Sequence, residues 1–312
     1  MSGLMAQPGA FERLEAAARD PVQLEALRAA GLAEELAGYA AEGHGDLPVM
    51  RTVHQFACTG GTLISKCIAS MPCTRLLSEV DPFSELGHQQ SFVPSDLIGL
   101  AKLGSAPPAQ KTLAKIFLAG LAELAADSRV EGRDLVLRDH SHSHFCYGGT
   151  VPERPSLAEI LSASYQLRSL VTVRHPLDSY LSLRRQQWLH FTPATLEEYA
   201  VRYHLFLDHY DGVEILRYED FTAAPEASMQ QICSILRLAY NPDFKDNFSA
   251  LHLSGDSGRS GVEIAYRPRR ALSVEVLDEL PAAAGYIRLC ERLGYEALPE
   301  TETGTEPVSS AP

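Results

Sequence analysis

The chain has 312 residues, of which 45% are hydrophobic and 21% charged, enough to bury one large core and carry a small appendage. Its 27 basic and 40 acidic side chains give a formal charge of −13, which excludes the broad positive surface that attracts nucleic acid or anionic membrane. Any anion must therefore be held by a local cluster, and the arginines do gather, at Arg174, Arg184 and Arg185 and again at Arg259, Arg267, Arg269 and Arg270.

The opening twenty residues lack a basic start followed by an apolar run, and no later stretch is long enough to span a bilayer, so a cytoplasmic protein is expected. Leucines at helical spacing after Asp20-Pro21 predict a helical extension over residues 1–47. From Pro48 the texture changes. RTVHQFAC, TRLLSEV, DLVLRD, LRSLVTVR and VEILRYED are short β-prone runs, and segments of helical character lie between them, at 61–71, 108–126, 176–189, 194–209 and 226–238. That alternation predicts a parallel sheet flanked by helices, an α/β domain over 48–298, with ligands at the carboxyl ends of its strands. Residues 299–312 have almost nothing to bury and are expected to be a disordered tail. The six cysteines are scattered, without a C-x-x-C pair, and read as reduced and structural.

Two turns suggest phosphate. In HQFACTGGTLISKCIASMP, Thr59-Gly60-Gly61-Thr62 joins a strand to an apolar helix: glycines let the backbone close on an anion, helix-start amides point at it, and two hydroxyls add donors. Taken alone, a plain strand-to-helix turn explains the run equally well. In LRSLVTVRHPLDSYLSLRRQQW a strand ends in Arg174, His175-Pro176 opens a helix, and Ser182 follows eight residues after the arginine.

This second segment resembles the 3′-phosphate-binding motif of the PAPS-dependent sulfotransferases, with Arg174 and Ser182 on its two anion-holding positions and Asp178 and Ser179 fitting the same pattern. The resemblance runs in consistent order over residues 50–295. Thr59, Gly60, Gly61 and Thr62 then fall on the 5′-phosphosulfate loop, but the family's lysine is replaced by Cys58, which implies another cation. Arg138, at the end of the third strand, is the preferred substitute; Lys66 reads as a solvated helix lysine. Arg138, Asp139 and His140 occupy the family's Lys-Thr-His positions, which implies His140 as general base. Arg259, Ser260 and Gly261 resemble its Arg-Lys-Gly loop over the 3′-phosphate, and Tyr218-Glu219-Asp220 a segment taken as mostly structural. The insertion GGTVPERPSLAEILSASY is placed to shape an acceptor lid.

The implied architecture is the P-loop-NTPase-like sulfotransferase fold with an N-terminal helical extension. The implied activity is sulfuryl transfer from 3′-phosphoadenosine-5′-phosphosulfate, with no metal, to a hydroxyl or amine on a small-molecule, lipid or carbohydrate acceptor. Two rival readings stand beside it. His140, His142 and His144, alternating on an extended segment, could bind zinc in a metallohydrolase. The loss of the lysine at Cys58 would suit a nucleotide-binding module without catalysis.

Overall fold

A computed structural model describes residues 47–86, 95–255, 263–266, 268–269 and 271–297. The expected N-terminal helices, apart from residue 47, and the C-terminal tail lie outside the described residues, as do Arg259, Ser260 and Gly261.

In chain order the elements are β1 (Val49–Gln55), α1 (Gly61–Ala69), β2 (Thr74–Val80), α2 (Leu97–Lys102), α3 (Gln110–Val130), β3 (Asp134–Asp139), α4 (Ser141–Phe145), β4 (Tyr147–Gly148), α5 (Leu157–Ser162) and β5 (Gln166–Val173). They continue with α6 (Pro176–Arg185), β6 (His190–Phe191), α7 (Leu196–His209), β7 (Glu214–Arg217), α8 (Tyr218–Ala223), α9 (Pro225–Leu236), α10 (Phe244–Asn247), α11 (Val274–Glu279) and α12 (Ala284–Leu293). The main sheet has five parallel strands in the order β2-β3-β1-β5-β7, flanked by helices as the alternation predicts.

Each of the five β-prone runs forms one of these strands; β1, β3 and β5 supply apolar side chains to both covered faces of the parallel sheet, whereas at its edge β7 buries Leu216 and leaves Ile215 exposed. Val53, Val136, Leu170 and Leu216 pack with Ile64, Ile68, Met229 and Ile232 of α1 and α9. Met50, Leu135 and Leu137 face Leu121 and Ala125 of α3 and Leu157 and Leu161 of α5. A further cluster, centred on Phe56, Tyr199, Tyr203 and Phe206, joins α7 to α6 and α12 beyond the end of β5. Helix α12, which the sequence reading does not single out, buries Tyr286, Leu289, Cys290 and Leu293 and stops at Gly294 with φ 68°. Burial raises the thiol pKa of Cys67, Cys146, Cys233 and Cys290, in keeping with a structural role.

The strand order locates the site. From β1 the chain crosses to one side of the sheet, and from β5 to the other, so the carboxyl ends of these adjacent strands flank a topological switch point. Gln55 pairs with Thr172 in register, which brings the turn after β1 alongside Arg174.

Candidate active site

The turn after β1 is shaped by close approaches. Cys58 has φ 62° and Gly60 φ 90°. At Gly60 a Cβ would collide with the ring of Tyr218, and at Gly61 with the side chain of Gln55. Packing thus favours glycine at both positions, and at Gly60 the left-handed backbone does so as well. Helix α1 begins at Gly61 with no side-chain cap; the Leu63 and Ile64 amides donate to the Gly60 carbonyl, so the amides of Gly61 and Thr62 are the ones that point beyond the helix start.

Arg174, just past β5, lays its guanidinium over the ring of Tyr218, 5.0 Å from the centroid. One tyrosine therefore borders both turns. Gly60, Gly61, Thr62, Arg174 and Tyr218 all line a single cavity of about 760 Å³, within the range of small-ligand sites. The His175 side chain, its pKa lowered by burial and then by Arg269, accepts from the Leu177 amide to cap α6, and its Nε2–H donates to the Glu296 carbonyl.

The remaining expected site residues fall in different places. Thr62 Oγ1 accepts from Arg138 at 3.2 Å. Thr59 is buried, and its hydroxyl donates to the Phe56 carbonyl at 2.8 Å rather than facing the cavity. Ser182, on α6, is partly buried and is not among the lining residues. Asp178 receives Arg269 Nε at 2.7 Å, and Ser179 Oγ donates to the His175 carbonyl.

Lys66 departs from expectation. It is 8% exposed and lines the cavity rather than facing solvent. A lysine stem tilts toward the helix N-terminus, which here is the loop itself. Lys66, Arg138 and Arg174 thus bring three cations to one cavity in an acidic chain.

Arg138 and His140 sit at and just beyond the end of β3, and both line the cavity. Arg138 donates to Ser78 Oγ at 2.8 Å and pairs with Glu79 at 2.8 Å; His140 Nε2 lies 3.2 Å from the other Glu79 oxygen. Below them Asp139 accepts from Tyr210 at 2.6 Å and faces His54 Nδ1 at 3.1 Å. Burial and then Asp139 raise the Tyr210 pKa well above its ordinary value, which keeps it a neutral donor.

The histidine run is helical rather than extended. Ser143 N–H bonds to the His140 carbonyl, Cys146 N–H to that of His142, and Ser141 Oγ donates to the Gln55 carbonyl; these contacts wind residues 141–145 into α4. The imidazoles consequently diverge. His142 Nε2 meets His190 Nδ1 at 3.3 Å in the cavity wall, whereas buried His144 bonds to the Pro152 carbonyl and stacks on Phe145. Among the described residues, no group of three or more His, Cys, Asp or Glu is arranged to hold a metal ion. The extended zinc-binding segment of the hydrolase reading is therefore not formed. Burial, then His140 and His190, lower the His142 pKa to about 3, so its ring is neutral.

The lining residues that were not foreseen include Glu79, Gln186 and Trp188. The signals were a lone carboxylate near the end of an apolar strand and the chain's single tryptophan just past α6. The insertion after β4 does not form a lid. None of its residues lines the cavity; Arg154 instead forms a two-pronged buried pair with Asp81, and Ser156 with Glu159 closes a capping box on α5.

No protein-family model and no curated protein matches the chain. Among solved structures, it is similar to the sulfotransferase domain of an olefin synthase from Synechococcus PCC 7002, at 17% identity and TM-score 0.49, over 82% of this chain and 98% of that one. A sulfotransferase from Alicyclobacillus acidocaldarius is similar at 15% identity and TM-score 0.39, over 80% and 96% of the two chains. A mouse sulfotransferase complexed with PAP is similar at 11% identity and TM-score 0.42, over 83% and 90%.

Proposed function

We propose that the chain transfers a sulfuryl group from 3′-phosphoadenosine-5′-phosphosulfate to a hydroxyl or amine acceptor. The observation that carries this reading is that Arg174 and the Gly60-Gly61-Thr62 turn, which are far apart in sequence, line one cavity and share Tyr218. A donor anionic at both ends would use both turns: the uncapped start of α1, Thr62 and Lys66 for the phosphosulfate, and Arg174, with Ser182 and the Arg259-Ser260-Gly261 loop, for the 3′-phosphate.

The acceptor loses its proton to His140 as its oxygen or nitrogen attacks sulfur in line. The bond from sulfur to the 5′-phosphate oxygen breaks, and that oxygen keeps the electron pair. Lys66, and Arg138 alongside its pairing with Glu79, would meet this developing charge in place of the lysine that Cys58 replaces; such preorganised charge is usually the largest contribution to catalysis. Three cations facing a multiply charged nucleotide also explain how an acidic chain would retain it.

The test is incubation with radiolabelled phosphosulfate donor and a panel of alcohols, phenols, amines and sugars. Labelled product is expected, falling by about 100-fold or more in His140→Ala, as loss of a general base typically costs. Calorimetry should find adenosine 3′,5′-bisphosphate bound to the parent chain and bound more weakly by Arg174→Ala, by about 1.5–3 kcal/mol for a lost charge-assisted bond. Absence of nucleotide binding would sink the reading, and tight binding without turnover on any acceptor would favour the noncatalytic module.

A further inference from the structure

We propose that Glu79 is a positioning residue that fixes the tautomer of His140 and leaves Nδ1, not Nε2, as the atom that takes the acceptor's proton. This rests on the sulfuryl-transfer reading of the cavity, and on a local geometry independent of it.

Between Leu77 and Val80 strand β2 advances three residues while β3 advances two, from Leu137 to Asp139, so β2 carries one extra residue. Within the bulge Glu79 has φ 63°, a left-handed conformation that residues other than glycine rarely adopt. The neighbouring contacts maintain it. Ser78 Oγ donates to the Ser254 carbonyl at 2.9 Å and Ser254 Oγ donates back to that of Ser78 at 2.6 Å, while Gly255 packs so closely that a Cβ there would strike the Glu79 carboxylate. The result is a carboxylate turned into the cavity between two strand-end groups, 2.8 Å from Arg138 and 3.2 Å from His140 Nε2.

A carboxylate paired with a guanidinium only accepts hydrogen bonds, so the ring nitrogen facing it must carry the hydrogen. His140 then presents the Nδ1 lone pair. During transfer the acceptor's proton moves to Nδ1, the Nε2–H stays on Glu79, and the resulting imidazolium lies against a negative charge; the proton leaves afterwards to water. The bond from sulfur to the 5′-phosphate breaks with its electron pair on the departing nucleotide. Glu79 touches neither reactant and acts through His140.

The experiment is nitrogen NMR of the imidazoles in the full chain at alkaline pH, for the parent, Glu79→Ala and Glu79→Gln, with steady-state kinetics alongside. The parent should show His140 as the Nε2–H tautomer, and Glu79→Ala a mixture. Glu79→Gln retains an acceptor oxygen, so it should keep the tautomer yet lose tenfold to hundredfold in kcat, because the charge beside the imidazolium is gone. Adenosine 3′,5′-bisphosphate should bind both variants at least as tightly as the parent, since Arg138 is released from its carboxylate; a merely structural role would weaken that binding. An Nδ1–H tautomer in the parent, an unchanged tautomer in Glu79→Ala, or full kcat in Glu79→Gln would overturn the proposal. A parent chain that transfers no sulfuryl group would instead refute the activity, while the tautomer readout still judges the Glu79–His140 pair.

Discussion

His144 shows how burial turns a residue into a pH-dependent element of stability. Its ring stacks on Phe145 and bonds to the Pro152 carbonyl, and burial, followed by the charge of Arg154, lowers its pKa from 6.5 to about 4. Above pH 6.5 the ring is neutral in both folded and unfolded chains, and its full contribution is present. As pH falls from 6.5 towards 4 the unfolded chain takes up a proton that the folded chain refuses, so stability drops, by on the order of 3 kcal/mol across that window. Denaturant titrations at pH 7 and pH 4.5 should show a smaller acid-induced loss in His144→Gln, which retains an amide donor for Pro152. Lys66 makes a related point about the cavity: if it neutralises the departing phosphate, Lys66→Met should lower kcat in the transfer assay at least tenfold. An unchanged kcat would leave that task to Arg138.

Elements were more legible in the sequence than the residues they position. The five β-prone runs could be read directly, because short apolar stretches alternate with helical ones, and Arg174 could be placed at a strand end because His175-Pro176 opens a helix there, whereas no local pattern shows that Ser182 lies away from the cavity lining. The histidine run could not. Ser-His alternation mimics a strand, whereas the helix there depends on Ser141 reaching the Gln55 carbonyl on another strand, a contact no local pattern encodes. Glu79 was hidden for a similar reason, since the bulge that turns it inward depends on serines 78 and 254 bonding each other. The insertion was misjudged because Arg154 and Asp81, far apart in sequence, meet only in the fold. Burial works to raise the Asp81 pKa, but Arg154, Ser143 and the Phe83 amide outweigh it and hold the carboxyl below its ordinary value. Arg154→Met should therefore cost about 3–5 kcal/mol in urea unfolding by leaving a buried charge unpaired. Replacing Asp81 with Leu in the same chain should recover much of that loss, which a double-mutant cycle would measure.

At the scale of the whole molecule, the order β2-β3-β1-β5-β7 determines where chemistry can occur. It sets the ends of β1 and β5 side by side at the point where the crossovers part, and β3 contributes Arg138 and His140 from the adjoining position. Three strand ends thus bring a glycine turn, two guanidinium groups and an imidazole to one cavity. The ring of Tyr218 has a consequence for what such a cavity accepts. Because the same flat spacer abuts Gly60 and carries Arg174, it sets the gap between the two turns, and on the proposed reading the cavity would measure a nucleotide as a gauge measures a part. Trimming the spacer in Tyr218→Ala should blur that measurement: adenosine 3′,5′-bisphosphate and adenosine 5′-phosphate, compared by calorimetry, should differ in affinity by less than they do with the parent chain.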